Sequence, residues 1–268
     1  MNDDKKKELI AGVYTRSSEG YGDIGYFPIY GERLVELVGV TAGAFVLDVA
    51  CGRGAVLFPA AERVGANGRV NGIDISPGMV KETTSEIARR GVVNASAVVM
   101  DAEALEFHDG YFDFVLCAFS LQFFTDPVKA LSEARRVLKP GGTLGLATWG
   151  KDDPKWAWWD ALIVESGWPG MRTQTFDSGE AVMAVLGEAG FDGAETTVEE
   201  SDFVYPTRGA WWAKSWSLSA RAALERLEEK ELEELRETVS ERLDDMEESD
   251  GWHEIHEVIY TVSKKSDA

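Results

Sequence analysis

The sequence predicts an α/β fold: a Rossmann-like, mostly parallel sheet with helices on both faces and a helical cap inserted late in the chain. Three observations carry that expectation. Short apolar runs alternate with amphipathic stretches between residues 44 and 149. Glycine and Pro-Gly turns separate them, as tight strand–helix connections require. Residues 207–249 then show only helical spacing, before one last alternating run.

Taken in order, residues 1–30 mix tyrosines with glycines and read as a short helix followed by a flexible lid segment. Gly31–Val40 is amphipathic, with Leu34, Leu37 and Val38 on one face. Ala44–Val49 is an apolar strand, Ala55–Val64 a helix and Arg69–Ile75 a second strand. Pro77–Arg90 is a helix opened by Ser76 as N-cap and Pro77 at its first position. Ser96–Met100 and Asp113–Phe119 are the third and fourth strands. Asp126 and Pro127 open a helix reaching Leu138, and a Pro-Gly-Gly turn at Lys139–Gly142 leads into a fifth strand, Thr143–Trp149. Repeated strand–helix units with short loops imply parallel strands. Ligands then bind at the carboxyl ends of the strands, near the switch in strand order.

Beyond Gly150 the pattern changes. Trp156, Trp158, Trp159 and Trp168 fall close together, Ser178–Ala189 reads as a helix and Ala194–Tyr205 as a strand. Leu224, Leu227, Leu232, Leu235, Val239, Leu243 and Met246 lie at helical spacing, and Glu254–Ser263 is a final strand. The division expected is a lid at 1–30, a binding domain at 31–205 and 251–268, and a cap at 206–250.

The 268 residues carry a formal net charge of -20. Such a surface repels phosphate backbones and anionic lipid headgroups, so neither nucleic acid nor membrane is expected as a partner. The single basic triplet, Lys5–Lys7, sits beside Asp3 and Asp4. Cys51 and Cys117 lack metal-site spacing with each other or with His108, His253 and His256, so no metal is expected and both read as packing thiols. The charged N-terminus and the lack of a long apolar run point to a cytoplasmic monomer or homodimer.

The motif with chemical content is Val46-Leu-Asp48-Val-Ala50-Cys-Gly52-Arg-Gly54. An acid ends a strand, small residues let the backbone turn, and a helix N-terminus follows. By itself this is a tight turn as readily as a cradle. Asp74 ends the second strand, where an acid can accept hydrogen bonds from ribose hydroxyls. Asp101 and Ala102 follow the third, and Ser120 and Gln122 the fourth. Three acids at three successive strand ends favour one shared ligand.

As a set these residues, with Leu138-Lys-Pro-Gly-Gly142, resemble the class I S-adenosylmethionine-dependent methyltransferases. Among these, the closer resemblance is to the ubiquinone/menaquinone C-methyltransferase-like group that acts on small molecules. It covers residues 30–150. It implies S-adenosylmethionine as cofactor, with Asp48, Ala50, Gly52 and Gly54 along its methionyl part. Asp74 would hold the ribose, Ile75 and Met79 the adenine face, Asp101 the adenine amine and the Ala102 N–H a ring nitrogen. Ala118 would meet the amino-acid end through its carbonyl. Ala50 stands where the family often has glycine, which is harmless if its φ is negative.

The family's N-terminal segment often folds over the cofactor, so Tyr14, Tyr21 or Tyr26 would face the sulfonium and Arg16 its carboxylate. The acceptor, a small aromatic or apolar metabolite, would lie against Gln122, Phe123, Trp149 and Tyr26, with Trp211, Trp212 and Trp216 from the cap. His253 and His256 read as structural, and no general base is named. Two other functions remain. A scaffold or cyclase on the same fold would keep the cofactor residues. A nicotinamide-dependent oxidoreductase would need the G-x-G-x-x-G fingerprint, which is not matched.

Overall fold

The computed structural model describes residues 2–166 and 175–266. Two helices come first, α1 (Asp3–Tyr21) and α2 (Tyr26–Val38). The alternating core follows as β1 (Phe45–Val49), α3 (Leu57–Val64), β2 (Arg69–Asp74), α4 (Pro77–Arg90), β3 (Ala95–Val99), β4 (Phe112–Ala118), α5 (Pro127–Val137) and β5 (Leu138–Trp149). The late part contains α6 (Ala157–Glu165), α7 (Gly179–Glu188) and β6 (Glu195–Tyr205). It ends with α8 (Arg208–Ser217), α9 (Arg221–Leu224), α10 (Glu229–Asp244) and β7 (Trp252–Lys264).

Capping explains several boundaries. Ser76 accepts from the Met79 N–H at the start of α4, and Asp126 from the Lys129 N–H at the start of α5; proline opens both helices. Gly39 and Gly91 end α2 and α4 in the left-handed conformation.

The seven strands form one sheet in the order β3-β2-β1-β4-β5-β7-β6. The first five are mutually parallel; β7 runs antiparallel between β5 and β6. Strand alternation sends successive residues to opposite faces. Val46 and Leu116 pack with Leu34, Leu57 and Ala61 on one side. Leu47, Val115 and Cys117 pack with Leu131, Ala134 and Leu186 on the other. The chain leaves β1 towards β2 and β3, then returns to place β4 on the opposite side of β1. That reversal opens a crevice beyond the carboxyl ends of β1 and β4.

The N-terminal segment differs from expectation. In place of a short helix and a flexible stretch, α1 runs through 19 residues, and α2 begins at Tyr26. Val13 and Ile10 anchor α1, burying against Ala222. The expected Pro-Gly-Gly turn is absorbed into β5, whose ladder with β4 starts at Leu138 and shifts register between Phe112 and Phe114. Trp168 lies outside the described residues.

Candidate functional site

The turn after β1 is built from left-handed residues. Ala50, Gly52 and Gly54 have φ of 56°, 49° and 86°. A Cβ on Gly54 would lie 2.5 Å from the Phe58 ring, whereas one on Gly52 would meet nothing closer than Tyr21 at 3.9 Å. Gly54 therefore lets α3 start close to the strand, and Gly52 leaves room above the loop. The condition under which alanine would be harmless at position 50, a negative φ, is not met. Phe119, just past β4, is also left-handed at 56°, and these two are the non-glycine residues with positive φ among those described. They stand at the ends of neighbouring strands, on either side of the crevice. Such strain persists where surrounding structure enforces it, commonly at functional sites.

Two buried carboxylates lie beneath the loop. Asp74 accepts the Gly52 N–H on Oδ2 at 2.9 Å and the Ser76 N–H on Oδ1 at 2.8 Å. Burial pushes Asp74 up to about 6, against the pull of those two N–H groups. Asp48 is 1% exposed. Burial, then the nearby charge of Asp74, raises it well above the usual carboxylate range, although the Leu57 N–H opposes this. Its Oδ2 has no hydrogen-bond partner among the described residues, an open demand that a bound ligand can meet.

A cavity of about 750 Å³ extends from this loop past Asp74, Ile75 and Met79 to Asp101 and Ala102. A second runs along the other side of the loop by Asp48, Gly54 and Ala118. Helix α1 covers the first, placing Ile10, Tyr14 and Tyr21 on it. Its hold is polar at both ends. Lys7 bridges Asp101 at 2.7 Å and Glu103 at 2.6 Å, and the Arg53 guanidinium donates to the Ser18 carbonyl. Burial would raise Glu103, but Lys7, Thr125 and the Asp126 N–H outweigh it and hold the carboxyl low.

A third cavity, of about 1550 Å³, opens beyond β4 and β5. It shares Tyr14, Tyr21, Phe119 and Phe123 with the first. Gln122, Trp149 and Tyr26 also line it. Trp149 leans on Phe119 with ring centroids 4.2 Å apart.

Residues 46–142 match a family model described as a methyltransferase domain. The aklanonic acid methyltransferase of Streptomyces sp. (strain C5) is 41% identical over 150 residues, covering 55% of this chain and 68% of that protein. The nocamycin O-methyltransferase of Saccharothrix syringae is 40% identical over 139 residues, covering 52% and 48%. The chain belongs to the class I S-adenosylmethionine-dependent methyltransferases. A ubiquinone/menaquinone biosynthesis C-methyltransferase of Shewanella sp. (strain W3-18-1) is 38% identical, covering 53% of this chain and 59% of that protein. The chain thus spans between about half and two thirds of the length of these relatives. Two solved structures share the fold. The YcgJ protein of Bacillus subtilis has a TM-score of 0.62 at 19% identity, covering 89% of this chain and 99% of that one. The [4+2]-cyclase SpnF has 0.57 at 22%, covering 89% and 81%.

S-adenosylmethionine is the cofactor of this methyltransferase, and the crevice fits it: an orphaned Asp48 oxygen, open space above Gly52, and Asp74 and Asp101 along one cleft. Apart from Arg16 and the cap tryptophans Trp211, Trp212 and Trp216, the residues singled out in sequence for cofactor or acceptor each line one of the three cavities. Arg16 is a correction. It forms a two-pronged pair with Glu225, at 2.9 and 2.6 Å, because α1 turns that face towards α9.

The cap tryptophans are a second correction. Trp211 is fully buried, stacked on Trp156 at 5.3 Å and edge-on to Trp159 at 5.0 Å, and neither Trp212 nor Trp216 is among the cavity residues. Trp156 and Trp159 line the third cavity instead. Sequence reading also missed Lys7, Phe119, Lys214, Glu254 and His256. Period-two spacing of Trp252, Glu254 and His256 places them on one face of β7, which was the available signal for the last two. Among the described residues no helix is long and apolar enough to cross a membrane, and no group of side chains has metal-site geometry.

Proposed function

We propose that this methyltransferase transfers the methyl group of S-adenosylmethionine to a small, aromatic metabolite held in the cavity beyond β4 and β5. The observation that carries this reading is the junction at Phe119. That residue borders the glycine loop, the adenosine cleft and the acceptor cavity. The acceptor cavity's walls supply flat apolar surface from Tyr26, Trp149, Trp156 and Trp159.

Bound in the crevice, the cofactor supplies a methyl group already activated on a sulfonium. The chain's work is then to hold the parts in line and exclude water. Asp74 would orient the ribose hydroxyls: a carboxylate has about four acceptor sites, and the two N–H groups leave others open. Asp101 would accept from the adenine amine, Ala102 would donate its N–H to a ring nitrogen, and Ile75 and Met79 would pack on the ring. Asp48, Ala50, Gly52, Gly54 and Ala118 would surround the methionyl end. Tyr14 and Tyr21 present aromatic faces beside the loop, suited to a sulfonium. Gln122 and Phe123 would border the acceptor.

The relatives' names support a small-molecule acceptor, being those of aklanonic acid, nocamycin and ubiquinone or menaquinone. The strongly negative surface supports the same reading against nucleic acid. We place the activity in the cytoplasm, in small-molecule biosynthesis, as a monomer or homodimer. The test is mass spectrometry of hydroxylated naphthalenes and anthraquinones incubated with methyl-labelled cofactor. A product gaining one labelled methyl supports the reading. An isomerised product with no label would replace it with the cyclase alternative.

A further inference from the structure

A polar cluster interrupts the aromatic wall of the acceptor cavity. Lys214, Glu254 and His256 all line that cavity. Glu254 is gripped by Lys214 at 2.9 and 2.7 Å and by the Tyr205 hydroxyl at 2.6 Å. Burial alone would raise Glu254. The charge of Lys214, which also donates to it, outweighs burial and holds the carboxyl well below the usual range, so it stays an anion.

His256 is 7% exposed and wedged edge-on against Tyr26 at 4.6 Å and Trp149 at 5.2 Å. Its two nitrogens face different neighbours. Nδ1 lies 2.8 Å from the Tyr30 hydroxyl, which also bonds Ser201. Tyr30 is outside the cavity lining, so Nδ1 points into the protein. Nε2 lies 3.4 Å from Oε2 of the cavity-lining Glu254, beyond a normal hydrogen bond. Trp149 bridges this imidazole and Phe119 at the cofactor crevice, with ring centroids 5.2 and 4.2 Å away.

We propose that His256 Nε2 is the proton acceptor for a hydroxylated aromatic acceptor in this cavity, with Glu254 as its positioning residue. The inference rests on the methyl-transfer reading above. In the tautomer it requires, Nδ1–H donates to Tyr30 Oη and the Tyr30 O–H to Ser201 Oγ. That leaves the Nε2 lone pair for the acceptor. The acceptor's O–H bond breaks and its proton moves to Nε2. The freed oxygen electron pair forms the bond to the transferred methyl carbon, while the electrons of the carbon–sulfur bond stay on sulfur. The imidazolium so formed faces the Glu254 carboxylate, which stabilises it; it later returns its proton to water. Glu254 cannot take this role itself, because Lys214 keeps it a weak base. The charged and titratable groups facing the pair are Tyr26 and Tyr30 from α2, Tyr205 from β6, Lys214 from α8 and Glu254 beside His256 on β7.

The test uses the protein complexed with S-adenosylhomocysteine, whose sulfur is uncharged, and 4-nitrophenol, whose ionised form absorbs visible light. Titrating pH reports ionisation of the bound phenol without any turnover. The wild type should ionise it about one pH unit below the free probe, which is about tenfold in the ratio of ionised to neutral probe at fixed pH. His256→Gln should bind the probe and S-adenosylhomocysteine but lose that shift. Glu254→Gln should retain the probe with a smaller shift, because the imidazolium loses its counter-charge. An unchanged shift in His256→Gln overturns the assignment and leaves the aromatic pocket standing. Failure of the wild type to bind the phenol overturns the pocket reading and the proton acceptor with it.

Discussion

Asp74→Asn separates a ribose-binding carboxylate from one that merely braces the loop. The isosteric amide keeps the shape beneath Gly52 but removes the charge. A hydrogen bond to a charged group contributes about 1.5–3 kcal/mol, so losing the ionised acceptor should weaken S-adenosylhomocysteine binding about 10- to 100-fold at pH 8. The pH profile sharpens this. Asp74 is pushed up to about 6 by burial, so it must release a proton before accepting two hydroxyls. Wild-type affinity should hold above pH 6 and be about tenfold weaker at pH 5, a cost of about 1.4 kcal/mol. The Asn variant should show no such break.

Without ligand the linkage has the opposite sign. A carboxyl that protonates more readily folded than unfolded stabilises the fold at pH below about 4. That contribution, about 3 kcal/mol, fades as pH rises through 6. Calorimetry on both variants from pH 5 to 8 reads the binding effect directly. Equal affinities at pH 8, with parallel profiles, would refute the ribose assignment.

Three further outcomes follow from the loop and its lid. Ala50→Gly relieves a left-handed alanine costing about 1–2 kcal/mol and adds chain entropy worth about 0.4–1 kcal/mol; urea denaturation should show a net gain near 1 kcal/mol, and a loss would mean the strain is absent. Gly54→Ala forces a methyl to within 2.5 Å of Phe58 at a φ of 86°, so stability should fall by about 2–4 kcal/mol, checked by the shift in urea midpoint. Lys7→Met leaves Glu103, 5% exposed, without its cation; α1 amides should exchange faster with deuterium and stability should drop by about 1–2 kcal/mol, while unchanged protection of α1 would show that Lys7 holds nothing.

What the sequence determined by itself is local and periodic. The apolar runs at Val46–Val49 and Phe112–Ala118, the caps at Ser76 and Asp126, and the acids at the strand ends are set by chain chemistry within a few residues. The cofactor crevice follows from them, because parallel strands align their carboxyl ends. Three things depended on contacts between distant segments. Arg16 belongs to Glu225 across 209 positions, Lys7 reaches Asp101 across 94, and Trp211 is buried by Trp156 and Trp159 rather than open to the acceptor. Period and spacing show which face of a helix is apolar, but not which partner that face will meet. The Asp48–Gly54 turn was therefore legible from residues alone, whereas the Glu254–His256 pair became a candidate only when β7 slid between β5 and β6. That insertion set His256 beside Trp149, one ring from the crevice.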